Sequence, residues 1–182
     1  MNLSDTDLYH ITLGTSDDID ELENLYNDLN VSLQEGTNYP GWKKGIYPIR
    51  ETAESGIATK TLYVLKIQNE IAGTIILNHH PEDAYKNAPW GIVADYNDII
   101  VIHTFAVHPK FMGKGVGKSL LEFAIQHGIE NKMKSIRLDV SIHNTPAISL
   151  YEKCGFQYVG TVDLGLNIPD LVWFKLYEIN LI

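Results

Sequence analysis

Residues 99–128, IIVIHTFAVHPKFMGKGVGKSLLEFAIQHG, constrain the fold more than any other part of this chain. They open with a β-rich apolar run, 99–107, and Pro109 removes a backbone donor, so the strand is expected to stop there. Three glycines follow at alternate positions, Gly113, Gly115 and Gly117, flanked by Lys110, Lys114 and Lys118. From Val116 onward the apolar residues fall at Val116, Leu120, Leu121, Ala124 and Ile125, which is helical spacing. The spacing predicts strand, glycine-rich basic turn, then helix. Such a turn aims bare backbone N–H groups at the positive end of a helix, a seat suited to phosphate.

Two common phosphate fingerprints fail against these letters. The ATP-binding P-loop needs a glycine five positions before its Gly-Lys-Ser; Gly117, Lys118 and Ser119 supply the end, but Met112 stands where the first glycine must be. The dinucleotide fingerprint fits Gly113 and Gly115 and then meets Lys118 where a third small residue is required for close helix packing.

Composition narrows the field. With 182 residues and 45% hydrophobic content, the chain can bury one substantial core, and a single domain over 1–182 is expected. No apolar run reaches the roughly 20 residues that span a bilayer, so no membrane partner is expected. The opening residues, MNLSDTDLYH, are polar and acidic and do not resemble a secretory signal. One cysteine, Cys154, cannot form an internal disulfide, which points to a reducing, cytoplasmic setting. A net charge of -9 argues against a nucleic-acid partner, which would need basic clusters, and leans toward cationic ones.

In chain order, residues 8–13 alternate apolar and polar and read as a first strand ended by Gly14. Ser16, Asp17 and Asp18 offer capping groups ahead of Ile19, Leu22, Leu25, Tyr26 and Leu29, an amphipathic helix. Residues 36–49 mix Gly and Pro with Tyr39, Trp42 and Tyr47 and read as an irregular connection, with a second helix over about 49–58. Residues 61–66 and 71–77 read as an antiparallel hairpin. The connection over 78–98 is longer than a hairpin needs, a length that tends to accompany function or mobility. His79 and His80 within it diverge on an extended chain, and no further ligand spacing completes a metal site, so none is expected. Residues 135–140 read as a strand, Pro146 suits the first turn of a helix carrying Ala147, Leu150, Tyr151 and Cys154, and Gly155 suits its end. Two further strands are expected over 156–162 and 171–178.

Two ordered segments then carry a resemblance. Val107, Pro109, Lys110, Gly113 and Gly115 resemble motif A of the GNAT superfamily of acyl-CoA-dependent N-acyltransferases, with Lys110 in place of the usual Gln or Arg. Downstream, Asn144, Ala147, Leu150, Tyr151, Gly155 and Phe156 resemble motif B of the same family. Together they cover residues 99–160.

The resemblance implies an α/β fold of the α+β type: a mixed, mostly antiparallel sheet flanked by helices, in which strands four and five run parallel and splay apart. It implies acetyl-CoA as acyl donor. The splay leaves strand-four backbone groups in need of partners, and the two pantetheine amides supply them like an added strand. On that basis the backbone of Phe105, Ala106 and Val107 is expected to meet the pantetheine arm. Lys110, Met112, Gly113, Lys114, Gly115, Val116, Gly117 and Lys118 are expected to hold the pyrophosphate, with Asn144 bonding pantetheine or capping the helix behind it. Residues 36–58 are implied to lie over the acceptor site.

A primary amine, with a pKa of about 10, must lose a proton before it attacks a thioester, and the leaving thiolate, near 8.5, gains from receiving one. His103 is the candidate base, sharing a strand face with Phe105 and Val107; a core histidine bonded to backbone is the competing reading. Tyr151 is the candidate acid, placed near the coenzyme sulfur by the motif match; plain helix packing competes with that role. Cys154 is read as packing. The expected partner is a small-molecule or peptide amine acceptor. Its identity, the acyl-chain preference and the oligomeric state, a homodimer included, stay open, and a non-catalytic acyl-CoA sensor on the same fold is the alternative function.

Overall fold

The computed structural model describes residues 9–182, so Leu8 of the expected first strand lies outside the described residues. Among the described residues, seven strands form one mixed sheet in the order β1-β2-β3-β4-β5-β7-β6. They are β1 (Tyr9–Leu13), β2 (Leu62–Ile67), β3 (Glu70–Asn78), β4 (Ile99–Val107), β5 (Ser135–Ser141), β6 (Gln157–Asp163) and β7 (Trp173–Asn180). Four α-helices accompany them: α1 (Ile19–Glu35), α2 (Arg50–Ala58), α3 (Val116–Glu130) and α4 (Thr145–Lys153). The chain divides into two compact units. Unit 1 takes residues up to 38, 42–77 and 103–123, and unit 2 takes 39–41, 78–102 and 124–182, so β4 contributes its second half to the first and its first half to the second.

In unit 1, the Thr15 amide donates to Asp18 Oδ2 at 2.8 Å while the Asp18 amide donates to Thr15 O at 2.9 Å, fixing the entry to α1. The apolar stripe of α1, Leu22, Leu25, Tyr26 and Leu29, then packs with Ala53 of α2, Leu62 and Val64 of β2, Ile71 and Ile76 of β3 and Ala106 of β4. β1 and β3 flank β2 in antiparallel register. The β2–β3 turn is tighter than the sequence suggests: Gln68 and Asn69, at φ 50° and 67°, make a two-residue turn, and the strands extend to Ile67 and Glu70. Behind β3, Gly73 leaves room for α3, since a Cβ there would lie 2.8 Å from Val116 Cγ1.

In unit 2, β4 and β5 run parallel, with the register covering three pairs, Ile99↔Ser135, Ile100↔Ile136 and Val101↔Arg137. β5 continues antiparallel to β7, and β7 to β6. The 78–98 connection is not loose here. Buried Arg137 donates to Glu178 Oε1 (3.0 Å), to the Tyr96 hydroxyl (2.9 Å) and to Ile92 O (2.5 Å), with its guanidinium 4.3 Å from the Trp90 ring. Glu178 in turn accepts from Gly91 N at 2.8 Å and Ser135 Oγ at 2.8 Å. Every charge and polar atom in this clamp is matched, which is what allows an ion pair to sit at 3% and 7% side-chain exposure.

Candidate active site

Strand β4 ends at Val107, and the His108 amide still donates to Ala72 O at 2.9 Å before Pro109 opens a single 3-10 turn. His108 caps that turn: its Nδ1 accepts from the Lys110 amide at 3.1 Å, which leaves Nε2 to donate to Asp28 Oδ2 at 3.2 Å. Phe111 is buried and anchors the turn, with the ammonium groups of Lys110 and Lys114 5.2 and 5.1 Å from its ring centroid.

Gly113 and Gly115 then take φ values of +74° and +88°, the left-handed region that an L side chain resists. A Cβ on Gly113 would meet nothing within 4 Å, so its need for glycine is conformational and not steric. Gly117 behaves differently, falling inside the first turn of α3. Ser119 donates to Gly115 O at 3.0 Å, so the amides of Val116, Gly117 and Lys118 come before any intrahelical acceptor. The arrangement is that of an anion seat at a helix start, ringed by exposed Lys110, Met112, Gly113, Lys114 and Lys118. Val116 offers only its backbone, its side chain being buried.

Two of the three lysines already have carboxylate partners. Lys110 Nζ donates to both oxygens of Glu70, at 2.9 and 2.6 Å, and Lys118 Nζ lies 3.3 Å from Glu122 Oε1. Neither glutamate belongs to a recognisable motif, and sequence reading passed over both.

Along β4 in unit 1, Thr104 and Ala106 are buried while His103, Phe105 and Val107 are half-buried, an alternation of period 2. Thr104 carries φ +41°, a strained value for a β-branched residue and a kink beside His103. Its Oγ1 lies 2.5 Å from the Tyr47 hydroxyl, and Trp42 meets the Tyr47 ring edge-on at 5.5 Å.

In unit 2, Asn144 caps α4, its Oδ1 accepting from the Ala147 amide at 3.4 Å. Tyr151 is buried on α4 between Phe156 and Tyr177, with ring centroids 5.9 and 6.4 Å away. Burial, and then the nearby Asp139 carboxylate, push the Tyr151 phenol well above its ordinary range. Asp139 itself accepts from the Tyr85 hydroxyl at 2.8 Å. Asp139 belongs to no motif that the sequence offers. The described residues contain no cluster of metal-ligating side chains and no helix long and apolar enough to cross a membrane.

Comparison with known proteins assigns this turn and strand to a class. The acetyltransferase (GNAT) family model matches residues 21–156, and the chain belongs to that family, whose acyl donor is acetyl-CoA. It is 37% identical over 98 residues to a streptothricin acetyltransferase of Escherichia coli, covering 54% of this chain and 47% of that one. It is 35% identical over 84 residues to a spermine/spermidine N(1)-acetyltransferase of Bacillus subtilis, covering 43% and 55%. The chain thus spans about half the length of these curated relatives. In fold it is similar to a GNAT-family acetyltransferase from Streptococcus agalactiae, with a TM-score of 0.78 at 20% identity over 94% of this chain and 95% of that one. It is also similar to a putative acetyltransferase from Salmonella typhimurium solved with acetyl-CoA, with a TM-score of 0.69 at 14% identity over 96% and 94%.

Proposed function

We propose that this protein transfers an acetyl group from acetyl-CoA to a primary amine by direct attack. The observation that carries the reading is the left-handed Gly113–Gly115 turn opening α3, inside the segment that matches the family. The amides from Gly113 to Lys118 and the lysines beside them hold the diphosphate, and the backbone of Phe105, Ala106 and Val107 takes the pantetheine amides as an added strand.

His103 removes the proton from the amine nitrogen. A C–N bond then forms to the thioester carbonyl, the C–S bond breaks, and the thiolate leaves. The motif resemblance assigns Tyr151 as the donor of a proton to that sulfur, and the proton taken up by His103 returns through solvent to the phenolate, whose burial beside Asp139 favours the neutral phenol. The raised phenol therefore keeps the donor loaded throughout the neutral range. Asn144 holds the start of α4 in place, and Cys154, half-buried, packs. The lone cysteine is in keeping with a cytoplasmic setting.

The relatives direct the first choice of acceptors to spermine, spermidine and streptothricin. Free-thiol release from acetyl-CoA over a panel of such amines, alongside amino acids and peptide N-termini, tests the proposal. Amine-dependent release supports it; binding of acetyl-CoA with no release for any amine would identify a sensor instead.

A further inference from the structure

The residue before Pro109 does more than end a strand. Within the 3-10 turn Pro109–Phe111, Pro109 has no amide hydrogen and the Phe111 amide donates to His108 O at 2.9 Å. The Lys110 amide is held by a side chain instead, donating to His108 Nδ1 at 3.1 Å. A donating amide needs an acceptor, so Nδ1 carries no proton and the ring is the neutral Nε2–H tautomer. Asp28 selects the same tautomer from α1, its Oδ2 accepting from Nε2 at 3.2 Å. Phe111 meets the imidazole edge-on, with ring centroids 6.1 Å apart.

This bonding sets the path into the glycines. The Met112 amide donates to Pro109 O at 3.2 Å and the Lys114 amide to Phe111 O at 3.3 Å. Both bonds are long, so the shorter ones at His108 carry more of the turn that delivers Gly113.

Protonation would reverse one contact and strengthen the other. An imidazolium has donors on both nitrogens, so Nδ1–H would face the Lys110 N–H, and no rotation of the ring restores an acceptor. The Asp28 carboxylate favours that cation, but its side chain is 63% exposed, where water and salt thin the attraction. The other charges do not change the sign. Lys110, on the same turn, opposes a second cation beside it, and Glu70, from β3, is bonded to Lys110.

We propose that His108 is a positioning residue for the diphosphate turn, working as the neutral tautomer that Asp28 selects, and that protonating its ring releases the turn and weakens acetyl-CoA binding. The inference rests on the acetyltransferase reading above, in which that turn holds the diphosphate. Asparagine supplies the same cap without titrating, because its Oδ1 hangs from Cγ as Nδ1 does and accepts from the amide two residues on.

Calorimetric titration with acetyl-CoA from about pH 8 to about pH 5, the span in which histidine changes charge, tests this. At the upper end His108→Ala is expected to raise Kd about threefold or more, as a lost cap implies, and His108→Asn to recover most of that loss. On acidification wild type is expected to lose about threefold more affinity than His108→Asn does. The coenzyme's phosphates and the other histidines are common to both proteins, so the difference belongs to His108. A His108→Asn protein that melts at the wild-type temperature yet binds no better than His108→Ala overturns the cap. Parallel pH profiles for wild type and His108→Asn overturn the role of the neutral ring. Wild type that binds acetyl-CoA at no pH sinks the acetyltransferase reading, whereas binding that neither substitution alters sinks this inference alone.

Discussion

At His103 the role of base and that of a packed histidine part company in kinetics. If the imidazole takes the amine proton, His103→Ala should lower kcat about a hundredfold at neutral pH with KM for acetyl-CoA unchanged, as general-base losses usually run; a loss under threefold would reject the assignment. Asp18 gives a residue-scale prediction about stability. Burial raises its pKa, but Lys66 at 2.5 Å and the Thr15 amide and hydroxyl more than compensate, and the carboxyl is held below its ordinary value. A depressed carboxyl stabilises the fold above its unfolded pKa and loses that contribution as pH falls through the folded one. Asp18→Asn should therefore cost about 1–3 kcal/mol in urea unfolding at pH 7. The gap to wild type should close as pH drops below about 3.9. Periodicity placed Asp18 before a helix and Tyr26 on its apolar face; it had no means of showing that the Tyr26 hydroxyl has no hydrogen-bond partner among the described residues, since a hydrophobic stripe reports a direction and not what the polar tip meets.

Elements were legible where the signal is local. Strand β4 runs over the expected residues 99–107, α3 starts at Val116, and Gly155, at φ +94°, follows α4 as a left-handed residue. The glycine turn yields a clean test, because Gly113→Ala adds a Cβ into open space and perturbs only the φ of +74°. The strain of about 1–2 kcal/mol should raise KM for acetyl-CoA by roughly 5–30-fold with little change in melting temperature. The clamp on the 78–98 segment was not legible, since Arg137 and Glu178 lie far apart in sequence and meet only through the β5–β7 register. Truncating one member of a buried ion pair strands the other, so Arg137→Ala should destabilise by about 3–5 kcal/mol in urea unfolding. It should also speed amide exchange at residues 91–96.

Over the whole molecule, a charge of -9 opposes the approach of an anionic co-substrate to a small basic turn. Repulsion from distant carboxylates is screened by salt more than contact with Lys114 is, with a Debye length of about 8 Å at physiological strength. Stopped-flow association of acetyl-CoA should therefore quicken as salt rises from about 10 to 150 mM, and a slowing over that range would show that the lysines dominate at long range. Glu70 adds something that no net charge conveys. Its carboxylate grips Lys110, so on the proposed reading, in which Lys110 holds the diphosphate, the incoming coenzyme exchanges one anion for another instead of filling an idle cation. The same carboxylate stands ready when spent coenzyme departs, favouring quick turnover over tight retention, and a Glu70→Gln enzyme should linger in its product-bound form.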